Sequence, residues 1–180
     1  MAALSAQLLS LFEELGIPAD YGVECDLPVR EEPAELVSVG ENIFGTEQRL
    51  TPDAAAAWQA MRESAAEDDV FIQLVSGYRS ITRQAEIIRG KLEAGQTIPE
   101  ILRVNAAPGF SEHHTGRALD LTTEGVRPLT DVFEVTEAFT WLRENAQTYG
   151  FSMSFPRDNR YGVHYEPWHW LYEPDAGQPA

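Results

Sequence analysis

Ser111 to Asp120 reads SEHHTGRALD, and Glu166 to His169 reads EPWH. Together they offer histidines at 113 and 169 and carboxylates at 120 and 166. Two histidines with one carboxylate suit three protein ligands on zinc, with a fourth position open to water. The second carboxylate is then a base for that water's proton. His113 and Asp120 lie seven residues apart, so they cannot be neighbours on one helix face. A loop that folds back brings both to one ion, and Gly116 permits the return. Asp120 sits in the apolar run 118–121, where a buried carboxylate needs a partner such as a cation. Glu166 and His169 are separated by an odd number of residues, so a regular strand points them to opposite faces. Pro167 lies between them and cannot donate to a ladder, which predicts a kink or bulge there.

The flanking sequence predicts the elements that must position these groups. Leu4, Leu8, Leu11, Phe12 and Leu15 are at helical spacing, with Gly16 and Pro18 as the stop. Residues 21–44 are rich in Pro, Gly and Glu and predict irregular wrapping with one or two short strands. Thr51-Pro52-Asp53 opens a second helix, with Ala55, Trp58, Met61 and Ala65 near one face. A strand is expected over 71–75, then helices over 82–93 and 99–105. A turn at 108–110 leads into the histidine stretch, and 118–121 reads as a strand. A long helix is expected over 135–149, stopped by Gly150. Two closing strands are expected over 151–155 and 162–171. Trp58, Trp141 and Trp170 read as core. Helices and strands mix without regular alternation, which predicts an α+β fold: a small antiparallel sheet carrying the site, flanked by helices. The expected organisation is one domain over 1–180, with an N-terminal wrapping extension over 1–50 and the core over 51–171.

Composition narrows the function classes. The chain of 180 residues has 29 acidic and 13 basic side chains, a formal charge of -16. Phosphate backbones and anionic lipid surfaces repel such a chain, so neither nucleic acid nor membrane is an expected partner. One cysteine, Cys25, excludes an intramolecular disulfide, and nothing around it resembles a nucleophile's setting. The first eighteen residues carry no Lys or Arg, and Glu13 and Glu14 cut their apolar run. A secretory signal needs the opposite, so cytoplasmic residence is the expectation.

Ser111-x-His113-x-x-Gly116-x-Ala118-x-Asp120, followed by Glu166-x-Trp168-His169, resembles the signature of the zinc D-alanyl-D-alanine carboxypeptidases of the VanY type. That family stands within the wider lysostaphin-like and hedgehog-like group. Ser76-Gly77-Tyr78-Arg79-Ser80 with Gln84 is similar to the family's upstream motif. The likeness runs from about Leu50 to Leu171, roughly two thirds of the chain, with three motifs in register.

The resemblance implies His113, Asp120 and His169 as ligands of one zinc ion, with Glu166 as the catalytic carboxylate. It implies Arg79 as the cation that steadies the substrate carbonyl as charge develops. Gln84 and Ser111 would line the substrate site, joined by Tyr78 and Trp168. His114 falls on the other side of an extended backbone from His113, outside the ligand set or on the surface; His164 reads as an exposed strand residue. The implied reaction removes the C-terminal D-alanine from small, soluble peptidoglycan stem peptides. Absence of a visible signal favours an L,D-carboxypeptidase acting on tetrapeptides in wall recycling over a D,D-enzyme acting on pentapeptides. A peptidoglycan endopeptidase and a non-catalytic zinc-binding module are the further alternatives, and a binding module has no need of Glu166 and Arg79 together.

Overall fold

The structure is a computed structural model describing residues 4–23 and 27–174. Cys25 and the early-turn packing expected of it lie outside the described residues.

α1 (Ala6–Leu15) starts where the Ser5 hydroxyl accepts from the Leu8 amide and stops at Gly16, in the left-handed region. The described residues between α1 and β1 (Val37–Glu41) form no further helix or strand, and β1 pairs antiparallel with β2 (Glu47–Leu50). α2 (Pro52–Glu67) follows, with Thr51 as N-cap. It buries Ala54, Trp58, Met61 and Ala65. Ala54 rather than Ala55 takes the inner place, because steps of four, three and four residues stay on one helix face.

β3 (Gln73–Ser76) begins later than expected, and Phe71 is exposed. α3 (Ile81–Glu93) is capped by the Ser80 hydroxyl, which accepts from the Arg83 amide. α4 (Ile98–Leu102) follows, and then β4 (Ala118–Thr122).

The helix expected over 135–149 is only partly α-helical. α5 covers Glu137–Asn145, between 3-10 turns at Asp131–Val135 and Ala146–Tyr149. Thr136 is the reason for the late start. Its backbone is extended, and its hydroxyl accepts from the Phe139 amide, so it caps the helix rather than joining it.

β5 (Phe151–Met153) and β6 (His169–Tyr172) complete the sheet. The strand expected over 162–171 is confined to its last residues. Asn159 organises the preceding loop: its side-chain amide donates to the Val163 carbonyl, and its Oδ1 accepts from the Tyr161 and Val163 amides. That leaves 162–168 outside any ladder.

The four-stranded sheet is antiparallel in the order β3-β4-β6-β5. Alternation along the strands gives it two different faces. Leu119, Leu121 and Trp170 enter the main core with Trp58 and Met61 from α2 and Trp141 and Leu142 from α5. Asp120 and His169 therefore project from the opposite face. A second apolar cluster joins α1, α3 and α4 through Phe12, Leu15, Ile88, Ile101 and Phe110. The histidine stretch runs between the two clusters. Among the described residues, no helix is long and apolar enough to cross a membrane.

Candidate active site

β4 is the middle of the site. Asp120 is paired in register with Ser76 of β3 on one side and with His169 of β6 on the other. The third member, His113, comes from a 3-10 turn, Glu112–Thr115. Gly116 ends that turn at a φ of 65°. A side chain there would also meet Leu36 at 2.8 Å, so conformation and space both require glycine. The return between His113 and Asp120 is thus one tight turn leading into a strand.

His113, Asp120 and His169 are all buried, and their ligating atoms lie within 4.8 Å of one another. The histidines are held in a common way. His113 Nδ1 faces the Gly77 carbonyl at 2.7 Å, and its Nε2 faces Asp120 Oδ2 at 3.1 Å. A carbonyl only accepts, so Nδ1 carries the proton and Nε2 presents a lone pair to the carboxylate. His169 Nε2 faces Glu112 Oε2 at 2.9 Å, and its Nδ1 faces Asp120 Oδ1 at 3.0 Å. Each ring anchors its outer nitrogen on an acceptor and turns the inner one towards Asp120. Lone pairs facing each other need a cation between them, so the donor set fits a metal ion.

The ionisation of these groups follows from their packing. Burial alone would raise Asp120, but the charge and hydrogen bonds of His113 and His169 reverse this and hold it far below the carboxylate range. Burial lowers His113 and favours the neutral ring. For His169 burial also acts downwards, yet the hydrogen bonds to Asp120 and Glu112 prevail and push it up to about 10.

Glu166 precedes β6 instead of lying in it. Its carbonyl accepts from the His169 amide at 3.1 Å, closing a turn through Pro167 and Trp168. The expected kink is therefore a full turn. Burial pushes Glu166 up to about 7, with the Asp120 and Glu112 charges adding to the rise. Near-neutral affinity for a proton suits a base at physiological pH.

Arg79 is fixed at both ends. Its amide donates to the His113 carbonyl at 3.1 Å, and its carbonyl accepts from His114 Nδ1 at 2.6 Å. Its guanidinium donates to Gln84 Oε1 at 2.9 Å. Gln84 is fully buried and its amide donates to the Ala106 carbonyl. Gln84, which the resemblance implies for the substrate site, thus braces Arg79 in the structure. Tyr78 donates its phenolic proton to Glu32 at 2.9 Å, and Trp168 packs against the main core. Ser111 is buried, and its carbonyl accepts from the His114 amide.

His114 is neither on an extended backbone nor at the surface. It is fully buried in the 3-10 turn, where Nε2 accepts from the Gly109 amide and Nδ1 donates to Arg79. Burial lowers it to about 4, so it stays neutral. His164 is exposed.

Four contributors were not singled out from the sequence. Glu112 is the carboxylate behind His169. Arg30 pairs with the other oxygen of Glu112 at 2.9 Å. The Gly77 carbonyl behind His113 is a backbone group that leaves no mark in the sequence. Glu32 gives the wrapping segment a second tie, accepting from the Ile81 amide at 2.7 Å as well as from Tyr78. An acid directly preceding a ligand histidine was the available signal for Glu112. Nothing linked Arg30 to a partner 82 residues away.

Residues 47–175 match the model of the VanY family, described as D-alanyl-D-alanine carboxypeptidase. The chain belongs to that family. It is 32% identical over 166 residues to a D-alanyl-D-alanine carboxypeptidase of Enterococcus faecalis (strain ATCC 700802 / V583), covering 87% of this chain and 54% of that protein. With the protein YodJ of Bacillus subtilis (strain 168) it shares 32% over 165 residues, 81% of this chain and 56% of the other. The chain thus spans about half the length of these curated relatives. Among solved structures, the LdcB LD-carboxypeptidase superposes with a TM-score of 0.73 at 31% identity, covering 83% of this chain and 73% of that one. A mutant VanY D,D-pentapeptidase from a VanB-type vancomycin resistance cassette, in complex with Zn(II), gives 0.60 at 28%, covering 82% and 88%. The mixed fold of helices and small antiparallel sheets is shared with both.

Proposed function

We propose that the protein is a zinc-dependent carboxypeptidase that removes the C-terminal D-alanine from peptidoglycan stem peptides, with a preference for tetrapeptides and hence an L,D bond. The observation that carries the reading is the convergence of His113 Nε2, His169 Nδ1 and the Asp120 carboxylate, with Glu166 and Arg79 coupled electrostatically to the same group.

His113, Asp120 and His169 would hold the ion. Zinc, when bound, lowers the pKa of a water from about 15.7 to about 7 and polarises a carbonyl oxygen. The chain's own groups do the rest. Glu166 takes the proton of the attacking water and hands it to the departing D-alanine nitrogen as the C–N bond breaks. Arg79 presents its guanidinium where the carbonyl oxygen gains charge. Gln84 and the backbone ties to His113 and His114 keep it there, so little reorganisation accompanies the reaction. Arg79→Lys keeps the charge but loses the fork. It should lower kcat about 100- to 1,000-fold, the cost of one missing oxyanion donor, with a smaller change in KM. A fall in KM-limited binding with kcat intact would place Arg79 on the substrate carboxylate instead.

The L,D preference is supported by the likeness to the LdcB LD-carboxypeptidase. The D,D reading has its own support in the Enterococcus faecalis relative and in VanYB bound to D-Alanine-D-Alanine. Mass spectrometry of tetrapeptide and pentapeptide stems, with and without a chelator, separates them. Chelator-sensitive loss of one alanine from the tetrapeptide is the expected result, and a clean preference for pentapeptide overturns the L,D assignment. Release of soluble fragments from intact sacculi would indicate an endopeptidase.

A further inference from the structure

We propose that Glu112 is a positioning residue that fixes His169 with Nε2 as the protonated nitrogen and Nδ1 as the one free to ligate metal. An imidazole has two similar nitrogens, and nothing in the ring decides which one meets an ion. At His169 placement decides: Nδ1 is the nitrogen turned into the group formed with Asp120 and His113, and Nε2 is the one turned away onto Glu112. Nε2 lies 2.9 Å from Glu112 Oε2, Nδ1 lies 3.0 Å from Asp120 Oδ1, and all three side chains are buried. A carboxylate behind a ligating histidine holds the ring's orientation and raises its basicity towards the metal.

Glu112 is itself held on two sides. Its backbone belongs to the same 3-10 turn as His113, so one short turn carries a ligand and the carboxylate behind another ligand. Its second oxygen, Oε1, accepts from Arg30 at 2.9 Å. Arg30 comes from the wrapping segment between α1 and β1, anchored where its amide donates to the Gly109 carbonyl at 2.7 Å. Glu112 and Arg30 also line a cavity of about 470 Å³. A water entering from that cavity could accept from Nε2 if Glu112 were removed, but it would bring neither fixed direction nor negative charge. Loss of Glu112 is therefore felt as weaker and less specific ligation rather than as an unsatisfied proton.

The inference rests on the metal-binding reading of the site and not on which peptide bond is cut. Its readouts are accordingly zinc affinity and a spectroscopic signal, so a failed peptidase assay leaves it testable. Zinc affinity of the full chain is measured by competition with a chromophoric chelator for the parent, Glu112→Ala and Glu112→Gln. Unfolding of the metal-free forms is followed in parallel. Glu112→Ala should bind zinc about 10- to 100-fold more weakly, and Glu112→Gln about tenfold more weakly. In the zinc-loaded parent, proton NMR should show a slowly exchanging downfield imidazole N–H from His169 that Glu112→Ala loses. If Glu112→Ala does not fold, Glu112→Gln, which has nearly the same volume, carries the test. A folded Glu112→Ala or Glu112→Gln protein with parental zinc affinity, or a Glu112→Ala protein that keeps the His169 imidazole signal, overturns the proposal.

Discussion

Glu166→Gln should lower turnover of stem peptide by about 100- to 10,000-fold, the usual contribution of a general acid–base group, while zinc content stays at the parental level. Glutamine keeps the shape of the side chain and the turn that closes on the His169 amide, because that bond uses the Glu166 carbonyl and not its carboxylate. Only the capacity to carry a proton is lost. The pH profile gives the same group an independent signature. Glu166 works as a base when deprotonated, and burial pushes it up to about 7. Activity must therefore rise with pH through the folded-state pKa. A bound dication favours the carboxylate and moves that pKa down, so the acidic limb of kcat/KM falls at or below 7. D-alanine release and zinc analysis on the same preparations decide the matter. A Glu166→Gln protein that is fully loaded with zinc and keeps more than a tenth of the activity removes Glu166 from the role of base.

The extent to which this site could be read from the sequence follows the range of the interactions that build it. His113, Gly116 and Asp120 lie in one stretch, and the cost of a carboxylate inside an apolar strand announced a partner. Their spacing maps onto one turn and one strand, so the local sequence contained most of the geometry. Elements set by capping and apolar spacing were legible for the same reason: α1, α2, α3 and β4 stand within a few residues of their expected bounds.

Where one hydroxyl or one amide outweighs the pattern, the reading drifted. Thr136 falls inside a stretch where Phe139, Leu142 and Ala146 keep helical spacing, yet its hydroxyl caps the following turn. Asn159 gathers a loop that looked like a strand. Long-range partners were least visible. Arg30 on Glu112 and Glu32 on Tyr78 span 82 and 46 residues, and acids are plentiful enough that no pairing could be chosen from composition. The same limit applies to Gln84: the resemblance implied it for the substrate site, whereas its burial against Arg79 and Ala106 is a tertiary fact.

Asp120→Asn tests the centre of the site with the least change of shape. Asp120 supplies the only negative charge among the three candidate ligands, and both imidazoles turn towards it. Asparagine fills the same space in β4, whose backbone pairs with β3 and β6 without help from the side chain. Zinc affinity should nevertheless fall more than about 100-fold, since loss of a partner behind a ligand already costs 10–100-fold. Thermal unfolding converts this into a visible difference. Zinc at about 100 times the parental Kd stabilises the parent by about 2.7 kcal/mol. For a chain of this size that raises Tm by about 5–11 °C. At the same zinc concentration, a 100-fold weaker variant gains only about 0.4 kcal/mol, a shift of about 1 °C. Stem-peptide turnover should fall to background in parallel. If Asp120→Asn shows the parental zinc-dependent rise in Tm, the ion is held elsewhere. The two imidazoles would then face Asp120 only as partners of a buried carboxylate.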